Sequence, residues 1–68
     1  MFDVDARGRS CPEPVVMTRN AVLAHPEGVS VRVDNPCAAE NITRFGKNAG
    51  CKVQRRDEGN ESVLVLTR

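Results

Sequence analysis

The run Cys11-Pro12-Glu13-Pro14 determines where the first helix of this chain begins. A proline inside a helix lacks the N–H that the helical ladder needs, but at the first helical positions that N–H would have no partner anyway. A helix capped by Cys11 places Pro12 at its first position and Pro14 at its third, where both are tolerated. A helix capped by Ser10 would place Pro14 at a position that must donate its N–H. The run therefore predicts a helix from Pro12, with Cys11 as its N-cap.

The same run gives Cys11 a setting suited to thiol chemistry. Residues 7–10 are polar or glycine, so Cys11 lies in a loop rather than in the apolar run where free cysteines are usually buried. The positive end of the helix macrodipole, together with Arg7 and Arg9, favours the thiolate, whereas Glu13 opposes it. We expect an accessible Cys11 thiol with a modestly lowered pKa.

Composition limits the classes of protein that this chain can belong to. Its 68 residues form one small domain, 1–68, and with no Trp, no Tyr and two Phe the core must be aliphatic. The net charge of +1 gives no electrostatic reason to expect a nucleic acid or a membrane as partner. No apolar stretch is long enough for a membrane span or a signal peptide, which predicts a cytoplasmic protein. The abrupt end at Arg68 is compatible with a further domain after it.

Three cysteines are too few for a disulfide framework. A zinc site built from Cys11, Cys37, Cys51 and His25 lacks the usual ligand spacing, so we predict neither metal nor cofactor. We interpret Cys51 as an inert core thiol and His25 as a solvated residue at the end of a helix.

Apolar periodicity predicts four strands and two helices. The expected strands are 2–6, 29–34, 51–56 and 62–67, and the last two form a hairpin around the turn 57–60. The first helix, 12–24, should bury Val15, Thr18 and Val22, with Val16 and Leu23 widening that face. The second follows an Asn35 cap and ends before Gly50, and its buried stripe is Ala38, Ile42, Phe45 and Ala49.

The order βαβαββ predicts an α+β fold, a two-layer α/β sandwich with two helices on one face of a four-stranded mixed sheet. The polar third strand suits an edge and the apolar fourth a centre, which favours the strand order 1-2-4-3. If the first two strands are parallel, both helices begin at one edge of the sheet. Cys37 would then be a possible resolving thiol for Cys11, or else a small packing residue.

Residues 7–15 and Arg19 resemble the TusA/SirA-like family of small sulfur carriers, whose hallmark is Cys-Pro-x-Pro after Asp-x-x-Gly-x-x-Cys. Here that approach runs from Asp5 to Cys11. The similarity continues at 34–36, 40–42, 44–45 and Gly50, and the pieces at 33–35 and 40–41 look closest to the YedF branch, named for selenium metabolism.

The resemblance implies a sulfurtransferase-like carrier rather than a stand-alone enzyme. Cys11 would accept sulfur as a persulfide from a cysteine desulfurase or another donor and pass it to an acceptor protein, for example in tRNA thiolation. A carrier in selenium metabolism is the related alternative. Arg19 and Asp34 match family residues near the cysteine or the partner surface, and Pro12, Glu13 and Pro14 complete the motif.

Two other functions remain open from the sequence. A regulatory interaction module would dock a partner on the open face of the sheet, and exposed Leu64 or Leu66 would favour it. A nucleic-acid binder would use a basic strip of Arg32, Lys52, Arg55 and Arg56, but it lacks interleaved aromatic residues.

Overall fold

Strands and helices alternate along the chain in the predicted order. The computed structural model describes residues 1–10 and 12–68, and its sheet has the order β1-β2-β4-β3. β1 is parallel to β2, whereas β4 is antiparallel to both β2 and β3. The predicted α+β sandwich is therefore confirmed. The elements are β1 Phe2–Asp5, α1 Glu13–Ala24, β2 Val29–Val33, α2 Pro36–Asn48, β3 Lys52–Glu58 and β4 Glu61–Thr67.

The core is aliphatic and lies between the helices and one face of the sheet. Val29, Val31 and Val33 of β2 are fully buried, as the alternation predicts. Val31 is paired with Leu64 of β4, and Ile42 of α2 belongs to the same buried cluster. The buried cluster itself is aliphatic, and half-buried Phe45 packs against it.

Helix α1 begins one residue later than predicted. Pro12 occupies the N-cap position, because its carbonyl accepts the first intrahelical bond, from the Val16 N–H at 3.2 Å. Pro14 consequently lies at the second helical position rather than the third, still among residues whose N–H groups lack helical partners. The predicted N-cap, Cys11, lies outside the described residues.

The buried face of α1 is narrower than predicted. Thr18 and Val22 are buried and Val15 is half-buried, but Val16 is 38% exposed and Leu23 72% exposed. Pro14 and Ala21 occupy the core positions instead. The prediction for Val16 and Leu23 was wrong because α1 packs against β1, β2 and α2 on one side only and its outer side meets solvent.

Helix α2 has the predicted caps. The Asn35 side-chain oxygen accepts the Ala38 N–H at 2.7 Å, and Pro36 follows as the first helical residue. At the other end Gly50 has φ +80, and the Cys51 N–H donates to the Gly46 carbonyl at 2.8 Å, which is the Schellman arrangement. Ala49 was predicted to be buried, but it is the C-cap residue and is exposed.

The hairpin turn is shorter than predicted. β3 continues to Glu58 and β4 begins at Glu61, so only Gly59 and Asn60 connect them. Gly59 has φ +63 at the first central position of this two-residue turn, a conformation that favours glycine. The prediction of a four-residue turn was wrong because the acidic residues 57 and 58 are accommodated on an exposed edge strand.

An aromatic pair lies where β1 begins and α1 ends. His25 is half-buried rather than solvated and stacks on Phe2, with ring centroids 3.8 Å apart. Phe2 is itself 42% exposed, so the apolar alternation of β1 weakens at its first residue.

In the described part of the chain, neither helix has the length and apolar character needed to cross a membrane.

Candidate functional site

The parallel pairing of β1 and β2 brings the beginnings of both helices to one edge of the sheet. β4 runs antiparallel to β2, so the hairpin turn reaches the same edge. We call this region the helix-start edge and define it as residues 7–10, 34–37 and 58–61. In sequence, Cys11 directly follows its first segment.

Cys11 itself lies outside the described residues, so its predicted accessibility and lowered pKa remain predictions. Its sequence neighbours Ser10 and Pro12 are both exposed. Glu13, the first residue of α1, is exposed as well.

The loop before Cys11 is anchored to the end of β2. The Ala6 N–H donates to the Arg32 carbonyl at 2.9 Å, which extends the pairing of β1 by one residue. Two residues later the Gly8 N–H donates to Asp34 Oδ2 at 2.9 Å. Gly8 has φ +76, a conformation that a side chain would disfavour. Asp34 thus contacts the loop that carries the motif.

Arg7 connects this loop to two strands. Its guanidinium contacts both carboxylate oxygens of Asp5 at 2.9 Å, and its NH1 donates to Glu61 Oε2 at 3.2 Å. The hydrogen bonds from Arg7 lower the pKa of Asp5 to about 2. They also raise the already high pKa of Arg7. The guanidinium charge is therefore shared with two carboxylates.

Arg9 is paired as well. Its NH1 lies 3.1 Å from Glu13 Oε2 across the start of α1. Arg7 and Arg9 were predicted to favour a thiolate at Cys11, and both are bound to carboxylates. The region around the cysteine position is consequently less electropositive than the sequence alone indicates.

The first turn of α1 has no free main-chain donor among residues 12–15. Pro12 and Pro14 lack an N–H, the Glu13 N–H donates to the Ser10 carbonyl at 2.9 Å, and the Val15 N–H donates to the Pro12 carbonyl at 3.1 Å. Among residues 1–10 and 12–68, no side chain caps the start of this helix. Residues 12–15 can therefore favour a nearby anion through the helix macrodipole but not through a direct hydrogen bond.

The other predicted site residues lie in different places. Cys37 is exposed in the first turn of α2, at the helix-start edge, and Asn41 Nδ2 lies 3.8 Å from its sulfur. Arg19 is exposed on α1. Cys51 is half-buried against the core just before β3, at the end of the sheet opposite the helix-start edge. The C-cap of α1, His25, lies at that same end. Among residues 1–10 and 12–68, no group of three potential ligands could hold a metal ion.

Sequence reasoning missed a chain of ion pairs on the open face of the sheet. Arg32 NH1 contacts Glu61 Oε1 at 2.8 Å and Glu58 Oε1 at 3.1 Å, and Glu58 in turn pairs with Arg56 at 2.9 Å. Through Glu61 this chain continues to Arg7. These hydrogen bonds raise the pKa of Arg32, and those from Arg32 and then Arg7 lower the pKa of Glu61.

The alternation of buried and polar residues along β2 and β4 indicated which side chains lie on the open face of the sheet. It did not indicate which of them pair with one another. Even-numbered Arg32 shares a face with Val63, its partner across β4, and not with the buried valines. Arg32 and Glu61 are distant in sequence, so only the register of the hairpin joins them.

The observations expected for the two alternative functions are absent. Leu64 and Leu66 are buried rather than exposed on the open face. Arg55 pairs with Leu64 across the hairpin and so lies on the helix-facing side, away from Arg32. The basic strip that a nucleic-acid binder would use therefore does not form one surface, because the side-chain alternation of β3 places Arg55 and Arg56 on opposite faces of the sheet.

Fold and motif together define a class: a small α+β domain with Cys-Pro-x-Pro at a helix start and an anchored loop before it. The sequence model of the family described as Sulfurtransferase TusA matches residues 2–68. The chain therefore belongs to the TusA family, and this membership supports a role in carrying sulfur.

Two known proteins are similar over nearly the whole chain. A "Putative sulfur carrier protein" of Methanocaldococcus jannaschii is 33% identical over 70 residues, covering 100% of this chain and 93% of that protein. The crystal structure of a SirA-like protein from Desulfitobacterium hafniense superposes with a TM-score of 0.89 at 24% identity, covering 97% of this chain and 95% of that one. The second likeness concerns the fold alone.

Proposed function

We propose that this protein is a sulfur carrier whose Cys11 bears the transferred sulfur as a persulfide. The observation that carries the proposal is the anchored loop: the Gly8–Asp34 hydrogen bond fixes the segment that leads directly into Cys-Pro-Glu-Pro. Family membership and the name of the similar archaeal protein support the same role. Arg7, Arg9, Asp34, Pro12, Glu13 and Pro14 position this segment, and Arg19 contributes to the partner surface.

The reaction is an exchange of one sulfur–sulfur bond for another. The Cys11 thiolate attacks the outer sulfur of a donor persulfide, a new S–S bond forms at Cys11, and the donor leaves as a thiolate. The outer sulfur keeps its proton and no electrons are gained or lost overall. In the second step an acceptor removes the outer sulfur and returns Cys11 to the thiolate.

This chemistry makes limited demands on the carrier. It needs an accessible sulfur, a thiolate fraction at neutral pH and room for two partners in turn. We propose a cysteine desulfurase as the donor and a protein thiol as the acceptor. Both partners would approach the helix-start edge, where Ser10, Pro12 and Cys37 are exposed.

Mass spectrometry of the intact protein tests the proposal. After incubation with a cysteine desulfurase and cysteine, we expect a mass increase of one sulfur atom that disappears on reduction. Cys11→Ser should abolish the adduct. Cys37→Ser is the matched control, because Cys37 is an exposed thiol at the same edge, and it should retain the adduct.

The same experiment has two contrary outcomes. An adduct that persists in Cys11→Ser but disappears in Cys37→Ser would assign the carrier role to the other thiol. No adduct with desulfurase or with a small-molecule persulfide donor would reject the carrier function.

A further inference from the structure

A basic cleft lies on the side of the sheet farthest from β1. It has a volume of about 570 Å³ and separates α2 from the edge strand β3. We call it the α2–β3 cleft. Its helical residues recur at the spacing that places them on one flank of α2. The cleft is lined by Glu40, Thr43, Arg44, Lys47, Val53 and Arg55.

The positive charge of this cleft is less neutralised than that of the arginines on the open face of the sheet and in the loop before Cys11. Arg7, Arg9, Arg32 and Arg56 each contact a carboxylate. Within the described part of the chain, Arg44 and Lys47 have no such ion pair, and Arg55 contacts Asp57 at 3.0 Å. Three cations and a single anion, Glu40, therefore line one concave surface, which is complementary to a negatively charged ligand.

The floor of the cleft is an unpaired strand edge. Among the described strands β3 pairs only with β4, so the main-chain groups of Lys52–Glu58 that point away from β4 have no strand partner. Val53 and Arg55 lie on the helix-facing side because they pair with the buried Leu66 and Leu64. A strand added beside β3 would direct every second side chain toward the basic flank of α2.

The walls of the cleft are held in place by close packing. A Cβ atom at buried Gly46 would lie 2.5 Å from Val53 Cγ2 and 2.8 Å from Leu66 Cδ2. The backbone of α2 at position 46 therefore lies closer to β3 and β4 than any residue with a side chain would allow. A preformed cleft loses little conformational freedom when a ligand enters it.

We propose that the α2–β3 cleft docks an extended acidic segment of a partner protein. The segment adds beside β3 through main-chain hydrogen bonds and directs alternate carboxylates at Arg44, Lys47 and Arg55. The cleft lining contains no aromatic side chain on which a nucleobase could stack, which favours a peptide over single-stranded nucleic acid. This docking surface does not depend on the chemistry of Cys11.

Nuclear magnetic resonance titration of the ¹⁵N-labelled protein tests the proposal. The probe is an eight-residue peptide that alternates Glu and Val, and the comparison probe alternates Lys and Val. We expect the Glu-Val peptide to shift the amide resonances of residues 43–47 and 52–58, with weaker binding as the salt concentration rises. The Lys-Val peptide should leave these resonances unchanged.

Two charge-reversal variants distinguish binding in the cleft from a general attraction between the peptide and the charged protein. Lys47→Glu should weaken binding of the Glu-Val peptide about fivefold. Lys52→Glu is the matched control: it makes the same change in net charge on the neighbouring strand β3, but Lys52 pairs with Thr67 and its side chain lies on the open face, outside the cleft. It should weaken binding much less. Both sites are exposed, so the spectra of the variants should retain the dispersion of the parent.

Four results would overturn the proposal. They are the absence of shifts at millimolar Glu-Val peptide, shifts confined to β1 and α1, equal weakening by Lys47→Glu and Lys52→Glu, and saturation of the cleft by a ten-nucleotide poly(U) that the Glu-Val peptide cannot displace. The last would assign the cleft to nucleic acid instead.

Discussion

At the scale of single residues, Asp34 is the group on which the motif loop most directly depends. Its carboxylate accepts the Gly8 N–H from a position just before α2, so one hydrogen bond joins the approaches to both helices. A hydrogen bond to a charged acceptor is among the stronger kinds in proteins. Among the described residues, the other main-chain bonds of this segment are the one from the Ala6 N–H to Arg32 and two local ones, from Arg9 to Ala6 and from Glu13 to Ser10.

Replacement of Asp34 should therefore affect the loop more than the fold. We expect Asp34→Ala to speed hydrogen exchange at the Gly8 amide and to slow acceptance of sulfur by Cys11 about tenfold, since small misplacements of a reacting group are costly. The change in unfolding free energy should be ~1 kcal/mol. Hydrogen exchange, single-turnover persulfide transfer and equilibrium unfolding in urea measure the three effects.

Asp34→Asn is the matched control, because the amide oxygen can still accept the Gly8 N–H. It should restore slow exchange and most of the transfer rate. If Asp34→Asn were as slow as Asp34→Ala while Gly8 remained protected, the charge of Asp34 and not its anchoring bond would be what matters.

Local chemistry decided which residues could be interpreted from the sequence. The Asn35 cap and Gly50 at the end of α2 depend on neighbours within a few residues, and both predictions are confirmed. The pairing of Arg7 with Glu61 could not be predicted, because Glu61 is 54 positions away and meets Arg7 only through the sheet register. The pairs of Arg7 with Asp5 and of Arg9 with Glu13 are local, two and four positions apart, so the sequence did contain a signal for them.

At the scale of secondary-structure elements, the contact of α2 with the sheet depends on Gly46. Periodicity predicted the buried stripe through Ala38 and Ile42, and both are buried. Periodicity could not predict that Gly46 belongs to this stripe, where the helix backbone lies close to the sheet. A glycine in a helix usually indicates only a low helix propensity.

Gly46→Ala should therefore destabilise the protein although alanine is the better helix former. The added methyl group would lie 2.5 Å from Val53 Cγ2, and overpacking of this kind costs ~1–3 kcal/mol. Equilibrium unfolding in urea gives the change in free energy.

Gly50→Ala provides a comparison with a different cause. No atom lies within 4 Å of a Cβ at Gly50, but its φ of +80 strains any side chain, so we expect a loss of ~1 kcal/mol. A stabilising effect of Gly46→Ala would mean that α2 can move away from β3, and the cleft would then not be preformed.

At the scale of the whole molecule, the ion pairs on the open face join all four strands. Asp5 ends β1 and Arg7 follows it, Arg32 lies on β2, Glu61 begins β4, and Glu58 ends β3. Arg7 lowers the pKa of Asp5 to about 2, and hydrogen bonds from Ser62 and then Arg55 lower that of Asp57. Like Glu61, these carboxylates have lower pKa values in the folded chain than in the unfolded chain.

These lowered carboxylate pKa values make the folded protein less stable in acid. The unfolded chain binds protons first as the pH falls below about 4.5, so the free energy of unfolding should decrease from there to about pH 2. Arg7→Gln should make this decrease shallower, because Asp5 and Glu61 lose a partner. Urea unfolding at a series of pH values measures the slope.

Arg44→Gln is the control, since Arg44 lies outside the network and should leave the slope unchanged. A slope that is the same in Arg7→Gln as in the parent would show that other carboxylates dominate the acid response. The network is exposed, so its effect should also weaken in high salt.

The proline-rich start of α1 also bears on which solutes can interfere with the protein. Helix beginnings commonly bind phosphate or sulfate through free main-chain N–H groups. In residues 12–15 two such groups are absent and the other two are already bonded to carbonyls. Inorganic oxyanions, which are abundant in cells, therefore find no free main-chain donor on residues 12–15.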